Sequence, residues 1–189
     1  GIYVATVSPE SHQIQIHDLR GNEPAKVSDV ASFGTRFGMY RTPCATWLSS
    51  GGHDLLTVDE GNSRLTRSTL RVQPQAPLNA DPELASHLVG VDLAAATGRP
   101  VWPGAVTALA PGTDNELILV TDRATDSVLM LDRHLEPVGT LEGNGETGPI
   151  RGVAGLAPAP LGVATTILVV DSGGHGSRGE PRGRVVEFG

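Results

Sequence analysis

The residues of this chain that could do chemistry are few, and their spacing argues against most of the chemistry open to them. The histidines, His12, His17, His53, His87, His134 and His175, share no metal-ligand spacing and read as turn or surface residues. Cys44 is the sole cysteine, so the chain has neither an internal disulfide nor a thiolate metal cluster. Between Pro43 and Ala45 it reads as a small core residue. There is no GxSxG elbow, no Ser-His-Asp order and no GxxxxGK phosphate loop. The glycine-rich stretches 143–145 and 173–176 are not followed by a helix, so they do not cradle phosphate either. What remains is a recurring aspartate. The apolar run 55–58 closes on Asp59, 117–120 on Asp122 and 167–170 on Asp171. Six residues after Asp59 and Asp122 a second apolar run opens, at Leu65 and Val128; after Asp171 a longer glycine-rich loop, 172–183, precedes Arg184 and Val185. Asp and Asn bond their own backbone across tight turns, so Asp59, Asn62, Arg64 and Asp122 are read first as turn and packing residues.

Strands must position those turns. A chain of 189 residues with 39% hydrophobic and 19% charged residues can build one good core, so a single domain over 1–189 is expected. The 24 glycines and 14 prolines favour short strands and turns over helices. A net charge of −7 opposes a general role on nucleic acid or on anionic lipid. No apolar run approaches the ~20 residues that span a bilayer. The chain opens at Gly1 inside an apparent strand and without Met, which suggests a truncated start and leaves compartment and any leader open.

Taken in order, residues 1–5 and 13–19 read as paired strands, with Ile14 and Ile16 alternating against Gln13, Gln15 and His17. A weaker strand follows over 25–33. Strands are then expected over 45–48, 55–58, 64–72, 88–93, 105–110, 117–120, 128–131, 137–141, 152–157, 167–170 and 184–188. Residues 73–84 hold three prolines and read as a surface insertion, and 94–103 read as a turn, although 88–96 would tolerate a helix. Trp47 falls on an inner strand and is expected in the core. Trp102 falls between Pro100 and Pro103 in a connection, where ligand stacking is the alternative to packing.

The units of three or four strands recur about every 50 residues, and a lone sheet of that size cannot bury both faces. Stacking such sheets around an axis solves the problem. Here the residues resemble a known family. Asp59-Glu60-Gly61-Asn62-Ser63-Arg64-Leu65 is similar to the Asp-x-x-Asn-x-Arg-aliphatic core of NHL-type propeller blades. Residues 122–128 keep the Asp and the aliphatic position but put Thr125 and Ser127 where the family has Asn and Arg; Asp171 keeps the Asp, and Ala5 stands in its place in the first unit. The resemblance implies an all-β β-propeller with about four NHL-like blades, over roughly 1–40, 41–100, 101–148 and 149–189, cut from a six-bladed ring. A compact four-bladed ring is the alternative.

In such propellers, ligands meet the face where the loops between second and third strands join the blade connections. The residues expected there are Arg41, Asp122, Arg123, Arg151, Asp171, His175, Arg178 and Arg182. The loops and connections there also carry Asp59, Glu60, Asp126, Glu142 and Glu146 beside Arg36 and Arg99, and this mix of signs disfavours the RNA-binding branch of the family. Gluconolactonase-like propellers hold a divalent metal through Glu, Asn and Asp at the inner-strand starts, but here those positions read Pro43-Cys44-Ala45, Pro103-Gly104-Ala105 and Arg151-Gly152-Val153. The peptide-amidating lyase propellers need converging histidines, and none falls at such a start. The leading expectation is therefore a non-catalytic module that binds a protein or a small ligand, with no cofactor, no nucleic acid and no membrane insertion. The alternative is a metal-dependent hydrolase or lyase of the gluconolactonase-like group, with Ca²⁺ held by residues of further blades.

Overall fold

The computed structural model describes residues 3–8, 13–19, 25–30, 41–49, 54–71, 83–143, 148–150, 153–158, 166–172 and 183–188. Among them are fourteen strands and one five-residue α-helix, so the chain is all-β. The strands form four antiparallel sheets in which each strand pairs with its neighbour in sequence. The chain divides into two compact units, Gly1–Asp92 and Leu93–Gly189.

In the first unit, β1 (Tyr3–Ser8), β2 (Gln13–Asp18) and β3 (Ala25–Val30) make a three-stranded sheet. A four-stranded sheet follows from β4 (Pro43–Leu48), β5 (Asp54–Asp59), β6 (Arg64–Arg71) and β7 (Glu83–Asp92). Ile14 and Ile16 are fully buried and Gln15 and His17 only half-buried, the period of a strand with one packed face. β1 lies against β4, and Thr46 Oγ1 donates to the Ala5 carbonyl oxygen across that seam at 3.3 Å.

In the second unit, α1 (Leu93–Thr97) leads into β8 (Pro103–Leu109), β9 (Leu117–Asp122), β10 (Ser127–Asp132) and β11 (Pro137–Leu141). The last sheet is β12 (Val153–Pro158), β13 (Ile167–Asp171) and β14 (Arg184–Phe188). β12 packs on β8 and β9. Leu119 and Val128 from one sheet meet Val153, Ile167 and Val169 from the other, with Ile150 between them and Met130, Leu156 and Phe188 closing the sides. Each such side chain contributes about 1.5–3 kcal/mol by leaving water, so this apolar layer joins the two sheets face to face.

The strands expected over 45–72 and 105–141 lie within two residues of those observed. Three expectations are corrected. Residues 83 and 84, read as part of the proline-rich insertion, belong to β7 and pair with Arg71 and Leu70; a register shift between Ser68 and Leu70 absorbs two extra residues of β7 and lets the ladder continue. Leu93, read as the end of a strand, and residues 94–97, read as a turn, form a helix: three consecutive alanines favour it, and Gly98 at φ +67° ends it in the left-handed region. The third correction is the frame of the first blade. Tyr3 pairs with Asp18 just as Pro43 pairs with Asp59, Pro103 with Asp122 and Val153 with Asp171. β1 is therefore a first strand, Ala5 sits opposite Ile16, and Asp18 closes the second strand. An apolar β-branched run does not reveal its rank in a blade; only its pairing does. Trp47, expected in the core, is half-buried, in a row with Leu56, Arg67 and the exposed Val89.

Candidate functional site

In the second, third and fourth blades the repeated aspartate is the centre of a hydrogen-bonded clamp at one end of the blade. In the second blade Asp59 is completely buried. Its Oδ1 accepts the N–H of Thr42 at 2.8 Å and its Oδ2 accepts the N–H of Arg41 at 3.0 Å. Asn62 Nδ2 donates to Oδ2 at 2.6 Å, and Arg64 Nη2 approaches the same oxygen at 3.4 Å. The Glu60 N–H then returns to the Thr42 carbonyl oxygen at 2.9 Å. The end of β5 thus grips the residue before β4 by both its N–H and its C=O.

The third blade repeats the grip with other residues. Asp122 Oδ1 accepts the N–H of Trp102 at 2.9 Å and of Ala124 at 3.0 Å, while Arg123 N–H donates to the Trp102 carbonyl oxygen at 2.9 Å. Thr125 Oγ1 donates to Asp122 Oδ2 at 2.8 Å, in the place of Asn62, and Ser127 Oγ lies 2.8 Å from that hydroxyl. The cation comes from elsewhere: Arg99 Nη1 reaches Asp122 Oδ2 from the connection before β8. Ser63 and Asp126, the fourth residues after each Asp, both adopt the left-handed conformation that closes these turns, at φ 47° and 52°. Burial alone would raise the Asp122 pKa, but the Trp102 N–H, Arg99, Thr125 and the Ala124 N–H together hold it below the ordinary value. In the fourth blade Asp171 is buried, Arg184 Nε donates to it at 2.9 Å, and Arg184 Nη2 caps the Pro149 carbonyl oxygen at 2.6 Å.

Next to each clamp the first strand is bulged, after Pro43, Pro103 and Val153, which turns the following residues out of the regular ladder. Glycine is needed at two points beside these bulges. A Cβ on Gly104 would lie 2.8 Å from Arg123 Nε, and one on Gly61 would lie 2.9 Å from Arg41 Cγ. Each glycine makes room for an arginine lying along the clamp.

Of the expected binding residues, Arg41 and Arg123 are exposed where the sequence places them, in the connection before β4 and directly after Asp122. Asp122 and Asp171 are buried, and their carboxylates accept backbone N–H groups or guanidinium. Arg151, His175, Arg178 and Arg182 lie outside the described residues. Arg99 was missed. Its only signal in the sequence is a deficit, because a buried Asp with Ser127 where a cation belongs must draw one from another segment. A divalent metal, which the gluconolactonase-like alternative implies, is not matched by the described side chains: they contain no group of three or more His, Cys, Asp or Glu able to hold an ion. Nor is any helix among them long and apolar enough to cross a membrane.

Comparison with solved structures agrees with this geometry. Over 98% of its length the chain superposes on 50% of a candidate 6-phosphogluconolactonase from Bacteroides uniformis, with a TM-score of 0.60 and 15% identity. A second candidate 6-phosphogluconolactonase, from Bacteroides fragilis, matches 94% of this chain over 52% of its own, at a TM-score of 0.55 and 11% identity. Luciferin-regenerating enzyme matches 93% of this chain over 51% of its own, at 0.55 and 11%. The fold is a β-propeller fold. The chain spans about half the length of these structures. No family model and no curated protein matches it.

Proposed function

We propose that the chain belongs to a hydrolase of the lactonase-type propeller class, and that its described blades supply scaffold and substrate-facing cations. The observation that carries this reading is the superposition of nearly the whole chain on half of a candidate 6-phosphogluconolactonase. The reaction needs no redox partner: water adds to the lactone carbonyl, the ring C–O bond breaks, the alkoxide is protonated, and the new acid releases one proton. Arg41 in the first unit and Arg123 in the second are exposed, lie against Gly61 and Gly104 respectively, and would each attract an anionic group. No described side chain is assigned the bond-making step. The NHL-like pattern around Asp59 and the six-bladed ring belong to this same reading.

A second reading is favoured by the clamps themselves. The buried aspartates of the second, third and fourth blades are occupied by structural donors, which is what a non-catalytic binding module would show. Acid release from gluconolactone and 6-phosphogluconolactone, followed at constant pH with and without added Ca²⁺, separates the two. The hydrolase reading expects proton release well above the spontaneous rate on at least one substrate, while the buffer rate on both leaves the binding module.

A further inference from the structure

Arg99 and Trp102 are joined through one carboxylate. Arg99 Nη1 donates to Asp122 Oδ2 and the Trp102 backbone N–H donates to Asp122 Oδ1, so the guanidinium of one residue and the backbone of the other share a buried anchor. The segment between them is rigid. Pro100 and Pro103 limit its backbone, Val101 is buried, and the Trp102 carbonyl oxygen is bound by the Arg123 N–H. Yet the functional ends are unspent. The Trp102 side chain projects with 57% of the residue exposed, and among the described residues its indole N–H has no partner. Arg99 is one-third exposed, and among the described residues it donates only through Nη1, to Asp122 and at 3.4 Å to the Pro100 carbonyl oxygen, which leaves Nε and Nη2 without a described acceptor.

We propose that Trp102 and Arg99 anchor a docking site for an acidic peptide segment of a partner protein, with a carboxylate on the free Nε–Nη2 edge of Arg99 and a neighbouring aliphatic or proline side chain on the indole. Three features select this occupant. The unspent groups are all donors, and a guanidinium edge fits a carboxylate with two parallel bonds. The indole stands out from the surface, whereas a small molecule is held in a concave site that buries most of it. Tryptophan and arginine are also the side chains that most often dominate protein interfaces, and the clamp already holds the Arg99 guanidinium and the Trp102 backbone, which lowers the cost of ordering. This site is independent of any lactonase activity.

The test is a random-peptide display library panned on the intact chain, followed by fluorescence anisotropy of the enriched peptides. We expect enriched sequences to carry Asp or Glu within two residues of Leu, Ile, Val or Pro. Their Asn or Gln versions are expected to bind about tenfold more weakly, as is the Trp102→Ala variant. Trp102→Ala removes only an exposed ring and keeps the backbone bonds to Asp122 and Arg123, so it folds. Arg99→Lys keeps a cation on Asp122 but loses the two-point edge, and it too should weaken binding about tenfold. An enriched pool without acidic residues, the absence of any enriched pool, or affinities for Trp102→Ala within about twofold of the original would overturn the proposal.

Discussion

Asp122 shows how one carboxylate can be committed to structure. With its folded pKa held below the ordinary 3.8, its contribution to stability is fully present above that value and is lost as pH falls through the lower, folded value. The second unit should therefore melt at a steady temperature between about pH 5 and 7 and lose stability below about pH 4. Asp122→Asn removes the charge that Arg99 faces and turns an acceptor into a donor among donors. We expect it to flatten the acid limb of the melting curve and to lower stability at pH 7 by about 2–4 kcal/mol. Thermal melts of both proteins from pH 7 to pH 3 check this, and parallel acid limbs would assign the pH dependence to other carboxylates.

Between one blade and the next, the clamp is kept while its parts change. Arg64 of β6 approaches Asp59 from the third strand, but in the third blade the cation comes from the connection before β8, 23 residues from its partner. Arg99→Gln should cost about 1.5–3 kcal/mol, the worth of a charged hydrogen bond. Adding Thr125→Asn and Ser127→Arg rebuilds the arrangement of the second blade and should restore at least half of that loss. Urea midpoints of the single and triple variants decide it; a triple variant no better than Arg99→Gln would mean the two cations are not equivalent. This substitution also marks the limit of what the sequence discloses. The turn around Asp59 was legible because its side-chain donors, Asn62 and Arg64, lie within five residues of the Asp. The role of Arg99 was not, because fixed spacing does not register a partner that enters from another segment. The bulges that seat Arg123 over Gly104 were likewise invisible, since they are set by pairing rather than by composition.

At the scale of the whole chain, the repeated apolar runs and glycine-rich turns disclosed an all-β propeller fold, and the solved structures agree. The frame of the first blade escaped, because residues 3–8 have the composition of either a first or a second strand, and only the pairing of Tyr3 with Asp18 ranks them. Once that pairing is known, every blade closes its second strand on an aspartate. In the three blades where the side chain is described, that aspartate is buried, which makes it the fastener of the fold rather than a ligand group. Equilibrium urea unfolding of Asp59→Asn, Asp122→Asn and Asp171→Asn, measured side by side at pH 7, tests this most directly. The account predicts that all three lower stability, by about 2–4 kcal/mol each, since each leaves buried donors without their acceptor. Midpoints equal to that of the unaltered chain would contradict it and return the aspartates to the candidate binding residues.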